Sequence, residues 1–234
     1  MDDEKFWEKY FLTYDLLNEA IPYQRLMDDL VKVLEVKEGD LIFDAGSGTG
    51  NLSILLKEFG ARPTGYDFSE KAIQIHLMKD KEAEVFLGDL TDNLPFPDNY
   101  FDKVVSNNVL YTIGKNNRLA IFKEILRVLK PDGKFVLANV HTEFNPLTIF
   151  KDHLNESLKI KGILKTAIDL IMKGYAIGRM FYYSFLLIRR DRLGKYAFVE
   201  KDEQKNLLME AGFRTAGNTI NAYSNQSYID IGVK

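Results

Sequence analysis

Phe43-Asp44-Ala45-Gly46-Ser47-Gly48-Thr49-Gly50-Asn51 is the stretch on which the fold turns. It follows a short apolar run, Leu41-Ile42-Phe43, and precedes Leu52 to Phe59, whose apolar spacing is helical. Three glycines in five residues between strand and helix permit a tight turn with positive φ. They also let a ligand lie directly against backbone N–H groups, and the helix behind adds N–H donors without intrahelical partners. In an open α/β sheet, ligands bind here, outside the carboxyl ends of the strands. Any adenosine-containing cofactor suits such a loop.

Working outward, Pro63 to Tyr66, Val85 to Leu87, Phe101 to Ser106 and Phe135 to Val140 read as further strands. Helical patterns lie between them: one opens at Ser69-Glu70, and one spans Asn116 to Leu129 before Pro131-Asp132-Gly133. This alternation predicts a parallel sheet covered on both faces. The tail differs, with strands Phe213 to Ile220 and Tyr228 to Val233 joined by a stretch too short for a helical crossover. They form an antiparallel hairpin at one edge. Ahead of the first strand, residues 4–35 read as helix, with Phe6, Tyr10, Tyr14 and Leu17 on one stripe.

Three details discriminate between cofactors. The glycine spacing is G-x-G-x-G, with Asn51 where the dinucleotide fingerprint has its last glycine. Asp44 stands just ahead of the loop, where a carboxylate suits a cationic amino acid end and disfavours a pyrophosphate. Asp67 ends the second strand, where a carboxylate accepts from both ribose hydroxyls. Beyond the third strand, Asp89 is placed to accept from an adenine amino group, with Leu90 against the ring.

With these residues the sequence resembles the class I S-adenosylmethionine-dependent methyltransferases. The resemblance rests on DAGSGTG (44–50), GYDFS (65–69), GDLTDNLPFPDNYFD (88–102) and LRVLKPDGKFVLAN (126–139), in order. One glycine motif is a weak signal; four blocks at this spacing are a strong one. The resemblance implies a Rossmann-like, seven-stranded, mostly parallel sheet whose last strand is inserted antiparallel. It implies S-adenosylmethionine as cofactor, with Asp44, Gly46, Ser47 and Gly48 around the methionine portion. Asp67 and Phe68 would take the ribose and its flank, Asp89 and Leu90 the adenine, and Asn107 would offer its backbone near the amino group.

Methyl transfer from a sulfonium is an in-line displacement that proximity and alignment accelerate without an obligatory side chain. Oxygen and activated-carbon acceptors often add a general base. His141 follows the fifth strand on the rim of the cofactor loop and is the expected base, against the plainer reading of a surface histidine. His76 and His153 are expected to be structural or solvated. Tyr111, after the fourth strand, is expected to line the acceptor pocket. So is Tyr14, in a Tyr-Asp-Leu-Leu-Asn stretch similar to one in quinone-ring methyltransferases; the alternative is a packed helix stripe. The Asp/Asn-Pro-Pro-aromatic block of amino-nucleobase methyltransferases is absent after the fourth strand, which argues against nucleic-acid bases as acceptors.

Residues 141–200 are far more than a bare strand-to-helix connection needs. They are expected to form a helical substrate lid, as residues 1–36 form a helical extension, within one domain spanning 1–234. The stripe Ile160, Ile163, Leu164, Ala167, Ile168, Ile171 and Met172 is edged by Lys159, Lys161, Lys165 and Lys173, and Gly174 and Gly178 are expected to loosen the chain. From Lys159 to Lys195 there are nine Lys or Arg and two Asp, whereas the whole chain has a net charge of −3. Such a segment either lies on an anionic membrane surface or caps a greasy acceptor, or else packs its stripe on the sheet while its lysines stay in water.

With 234 residues, 46% hydrophobic, the chain suffices for one sizeable core. The lack of cysteine excludes disulfides, thiolate metal sites and a cysteine nucleophile, and no metal site is expected. No apolar run approaches a bilayer span and the acidic start is unlike a signal peptide, so a cytoplasmic protein, peripheral at most, is expected. The favoured function is methylation of a small, hydrophobic or lipid-like acceptor. A nicotinamide-dependent oxidoreductase shares the sheet but is disfavoured by Asp44 and Asn51. A non-catalytic S-adenosylmethionine-binding protein stays open, because the family has no universal catalytic residue.

Overall fold

The computed structural model describes residues 6–7, 9–11 and 15–234, the side chains of residues 15 and 16 apart. The parallel part of the sheet comprises β1 (Leu41–Ala45), β2 (Arg62–Asp67), β3 (Glu84–Leu87), β4 (Phe101–Asn107) and β5 (Leu129–Val140). Three short strands follow, β6 (Arg214–Thr215), β7 (Ile220–Ala222) and β8 (Ser227–Val233), and the order is β3-β2-β1-β4-β5-β8-β6 with β7 also on β8. Strand order reverses between β1 and β4, so a cleft opens at their carboxyl ends. The Gly-rich loop lies there because it follows β1.

The expected seven strand positions are present, and β8 inserts antiparallel between β5 and the edge. The expected strand Phe213 to Ile220 is broken in two. Gly217 takes φ +76°, and β6 and β7 pair with opposite ends of β8, Arg214 with Val233 and Ile220 with Ile229. The fifth strand starts at Leu129, before Pro131, because helix Lys115–Val128 runs directly into it.

Strand side chains alternate between two apolar cores. Ile42 of β1 faces the core built with α1 (Ile21–Leu34), α2 (Asn51–Glu58) and α5 (Pro146–Arg192). Phe43 and Ala45 face the other, built with α4 (Lys115–Val128) and α6 (Glu203–Ala211). α3 (Glu70–Lys79) completes the set and is capped by Ser69, whose Oγ accepts from Ala72 N–H at 3.3 Å.

The N-terminal extension is not one helix. Helical residues 6–7 and 9–11 and a 3-10 turn, Asp15–Glu19, precede α1, which starts afresh at Ile21. Pro22 lies in its first turn, where a missing N–H costs nothing.

The lid insert is helical as expected, but its break is elsewhere. α5 runs unbroken through Gly174 and Gly178 and changes direction at Gly162, with φ 75° and ψ 172°. A glycine inside a helix costs only about 1 kcal/mol, so its presence alone does not end one. The ring centroids of Phe150 and Phe181 are 5.4 Å apart. In a straight helix those residues would be about 45 Å apart. α5 is therefore a helical hairpin, and Lys161 Nζ also reaches Asp169 Oδ2 across it at 2.6 Å.

Candidate active site

Asp44 ends β1 on the face of α2, whose Ser53 Oγ donates to its Oδ2 at 2.6 Å. The carboxyl is buried, and that burial pushes its pKa up to about 7, with Asp67 nearby adding to the rise and Ser53 opposing it. Asp67 ends β2. Its Oδ2 accepts from Gly48 N–H and its Oδ1 from Ser69 N–H, both at 2.9 Å, so it fixes the loop and also starts α3. Burial raises its pKa too, against the pull of those two N–H groups. Two buried carboxylates on one loop make a site for a cation.

The loop is braced from behind by α3. Lys79 Nζ donates to Thr49 O at 3.0 Å and to Asn51 Oδ1 at 2.7 Å, and the His76 ring lies against Gly50. A Cβ at Gly50 would collide with that ring, and one at Gly46, where φ is +82°, would collide with Val109. These two glycines are needed for close approach and for positive φ.

Asp44, Gly46, Ser47, Gly48, Asp67, Phe68, Asp89, Leu90 and Asn107 all line one cavity of about 450 Å³, within the range of small-ligand sites. Leu90 is buried, while Phe68 and Asp89 lie at the rim. Asp89 Oδ1 already holds Thr91 N–H and Oγ1, both at 2.8 Å. Three side-chain atoms in this cavity are buried without a partner: Ser47 Oγ, Asn51 Nδ2 and Asn107 Oδ1. Unpaired buried polar groups are costly, and a ligand rich in hydroxyl, amino and carboxylate groups satisfies them. The residues present thus fit an amino-acid-bearing adenosine. For Asn107, the side-chain oxygen is the feature that sequence reading, which assigned its backbone, did not anticipate.

Sequence reading also missed the roof. Trp7 and Phe11 close over the cavity beside the Phe6–Tyr10 stripe, with the Trp7 and Tyr10 ring centroids 5.5 Å apart. Their i, i+4 spacing was the available signal. Tyr14 lies outside the described residues.

A second cavity, mostly apolar, lies beneath the lid hairpin, with Ile149, Phe150 and Leu154 of the first arm facing Ile177, Met180 and Phe181 of the second. Tyr111 lines it. Tyr23, Asn108 and Tyr111 line both cavities and form their common wall. Asn108 adopts φ 60°, and its Oδ1 accepts from Val140 N–H at 3.2 Å.

The structure does not bring His141 to either cavity. Its Nδ1 accepts from Glu143 N–H at 3.1 Å, so Nε2 carries the proton and donates to Asn225 O at 2.7 Å. The buried ring stacks on Tyr228, with centroids 4.7 Å apart. Tyr228 of β8, 87 residues further along the chain, could not be read as this ring's neighbour from sequence. His141 instead pins the turn Tyr223-Ser224-Asn225, all three residues at positive φ, which presents Tyr223 to the lid cavity. His141→Ala is expected to lower stability by about 1–3 kcal/mol, measured by denaturant melts. Its acceptor KM should rise while cofactor affinity is unchanged.

His153, by contrast, lines the lid cavity. Its Nδ1 accepts from Ile21 N–H at 3.2 Å, at the start of α1, which leaves Nε2 as the donor 3.4 Å from Ser157 Oγ. Burial and the neighbouring Lys161 and Lys173 lower its pKa, so the ring is neutral at pH 7. Among the described residues no group of three His, Cys, Asp or Glu side chains is arranged to hold a metal.

Known proteins agree with this geometry. The family profile described as "Methyltransferase domain" matches residues 43–137. A demethylmenaquinone methyltransferase of Listeria welshimeri is 32% identical over 140 residues, covering 56% of this chain and 58% of that protein. The chain thus matches less than two thirds of the length of such relatives. A TehB-like S-adenosylmethionine-dependent methyltransferase from Corynebacterium glutamicum superposes with a TM-score of 0.64 at 17% identity, over 97% of each chain. Magnesium protoporphyrin IX methyltransferase from Synechocystis, solved with bound S-adenosylhomocysteine, gives 0.60 at 20% identity, over 92% of this chain and 84% of that one. Residues 43–137 thus carry a methyltransferase domain, and the sheet around them has the fold of S-adenosylmethionine-dependent methyltransferases.

Proposed function

We propose that the chain transfers the methyl group of S-adenosylmethionine to a small hydrophobic acceptor held in the lid cavity, a quinol-like or other lipid-like ring. The observation that carries this is the shared wall of Tyr23, Asn108 and Tyr111 between a polar, carboxylate-bearing cavity and an apolar one. An acceptor atom at that wall forms the new bond to the methyl carbon as the carbon–sulfur bond breaks. S-adenosylhomocysteine leaves, and the acceptor's proton passes to solvent.

When bound, the cofactor supplies an activated methyl group. Asp44 and Asn107 hold its amino acid end, Asp67 its ribose, and Asp89 with Leu90 its base. Trp7 and Phe11 exclude water from above. Catalysis is by proximity and alignment, with no histidine taking a proton. His153 donates from Nε2 to an oxygen of the acceptor and so orients it; His141 acts at one remove, through Tyr223. The named activity of the Listeria relative and the protoporphyrin substrate of the Synechocystis one support a ring acceptor of low polarity.

The basic insert adds a peripheral contact with anionic membrane, where such acceptors dissolve. No helix among the described residues is long and apolar enough to cross one.

Methyl-labelled cofactor, offered with a demethylated naphthoquinol carrying a short prenyl tail or with a polar catechol, tests the acceptor class. Label is expected in the naphthoquinol. Met180→Trp, which fills the lid cavity, should cut kcat/KM for it at least about 100-fold and leave cofactor affinity within twofold. Equal labelling of the polar catechol would overturn the acceptor assignment.

A further inference from the structure

The stripe that sequence reading allowed to pack on the sheet does not do so. Ile163, Ile171 and Tyr175 are each 80% exposed, Met172 79% and Leu164 75%. They lie on the outward face of the second arm of α5, from just past the turn at Gly162 to Tyr175, while Thr166, Leu170 and Lys173 on its inner face line the lid cavity. A run of large apolar side chains along this outer end of the hairpin, its tip, is unusual for a surface that meets only water.

Cations rim this tip. Lys159 and Lys165 are exposed beside it, Lys161 pairs with Asp169, and Lys173 pairs with Glu19. Lys159 pairs with Glu156 on its own arm. An apolar tip ringed by lysines matches the layered chemistry of an anionic bilayer, with hydrocarbon below and phosphate above. Two copies of this chain meeting tip to tip would instead oppose like charges.

The lid cavity continues to the same place. Lys161 and Asp169, which tie the arms together next to the tip, also line it, as do Phe150 and Phe181 deeper between the arms. A cavity therefore runs between the two arms, bridged near the tip by the Lys161–Asp169 pair and apolar deeper in, as far as the wall shared with the cofactor cavity.

Resting on the proposed acceptor class, we infer that the tip of the lid hairpin inserts into anionic membrane and that the acceptor passes from the bilayer to the site between the hairpin's arms. The tip is the membrane contact, and the gap between the arms is the acceptor's route. Ile163, Ile171, Lys159 and Lys165 line neither cavity, so they serve docking and not the reaction.

Cosedimentation of the full chain with vesicles tests this, using phosphatidylcholine alone and a 3:1 mixture with phosphatidylglycerol at low salt. Wild-type protein is expected to bind the mixed vesicles at least tenfold better than the neutral ones. The double variant Ile163→Glu/Ile171→Glu should lose at least tenfold, and Lys159→Glu/Lys165→Glu should lose the preference for anionic lipid. Both should keep wild-type cofactor affinity by calorimetry, which shows that they fold. Because Trp7 is the only native tryptophan, Ile163→Trp adds a depth probe, and brominated lipid should quench its added emission.

Wild-type protein left in the supernatant, or binding unaffected by the double glutamate variant, would overturn the inference. So would light scattering that shows a dimer abolished by that variant without any vesicle binding. Methyl transfer to detergent-dispersed naphthoquinol separates the two readings. If transfer persists without vesicle binding, only the docking fails; if vesicle binding persists without transfer, only the acceptor assignment fails.

Discussion

Asp67→Ala is expected to weaken binding of S-adenosylmethionine and of S-adenosylhomocysteine alike, each by at least about 100-fold. Both ligands carry the same ribose, and the carboxylate of Asp67 is the buried acceptor at the end of β2 on its side of the cavity. Hydrogen bonds to a charged acceptor contribute about 1.5–3 kcal/mol each, and a ribose diol donates two. The substitution also strips Gly48 N–H of its partner, so the loop loses its anchor. Asp67→Asn keeps an oxygen for that N–H and should fall between wild type and Ala. Calorimetry at one pH decides. A threefold loss or less in the Ala variant would remove Asp67 from the ribose site, and a loss confined to S-adenosylmethionine would relocate it to the sulfonium.

Asp44 makes the second large effect, and its sign depends on the ligand. The buried carboxyl of the cofactor-free protein has a pKa of about 7, whereas a cationic amino acid end requires the ionised form. Cofactor affinity should therefore fall as pH drops through 7, by about 20-fold between pH 7.5 and 5.5. Asp44→Asn should bind more weakly at pH 7.5 and show no such slope.

Stability runs the opposite way. A carboxyl whose folded pKa is raised is favoured in its acid form on folding. Its contribution is full below the unfolded value near 4, is lost as pH rises to about 7, and is flat above. The loss amounts to about 4 kcal/mol at most. Cofactor-free Asp44→Asn should thus be more stable than wild type at pH 8 and similar at pH 4. Thermal melts at the two pH values, with and without cofactor, measure both signs. A wild-type affinity that is level from pH 7.5 to 5.5 would mean that Asp44 does not face the cationic end.

The cofactor half of the site was legible because each of its parts sits at the end of a strand that sequence identifies. Asp44 and Asp67 lie at the ends of β1 and β2 and Asp89 follows β3, and parallel neighbours in register bring those ends to one rim. Local pattern thus implies proximity. Lys79 and the Trp7–Phe11 roof were missed because they reach the rim from other elements, with no motif to announce them.

The acceptor half was not legible in the same way. His141 and His153 are both helix- or strand-flanking histidines in the sequence, yet one ring is spent on the Asn225 carbonyl and the other lines the lid cavity. The difference lies in which distant residues oppose them. The same holds for the lid stripe: its three-and-four spacing is identical whether it faces a core or a membrane.

The sequence by itself determined the fold class, the cofactor and which strand-end residues gather at one cavity, because strand-end motifs and parallel order are local properties of the chain. Only the tertiary structure decided that the lid folds back at Gly162, that its apolar tip stays outside, and that two cavities share one wall. Those outcomes depend on what packs opposite each side chain across long sequence separations, and periodicity carries no information about that.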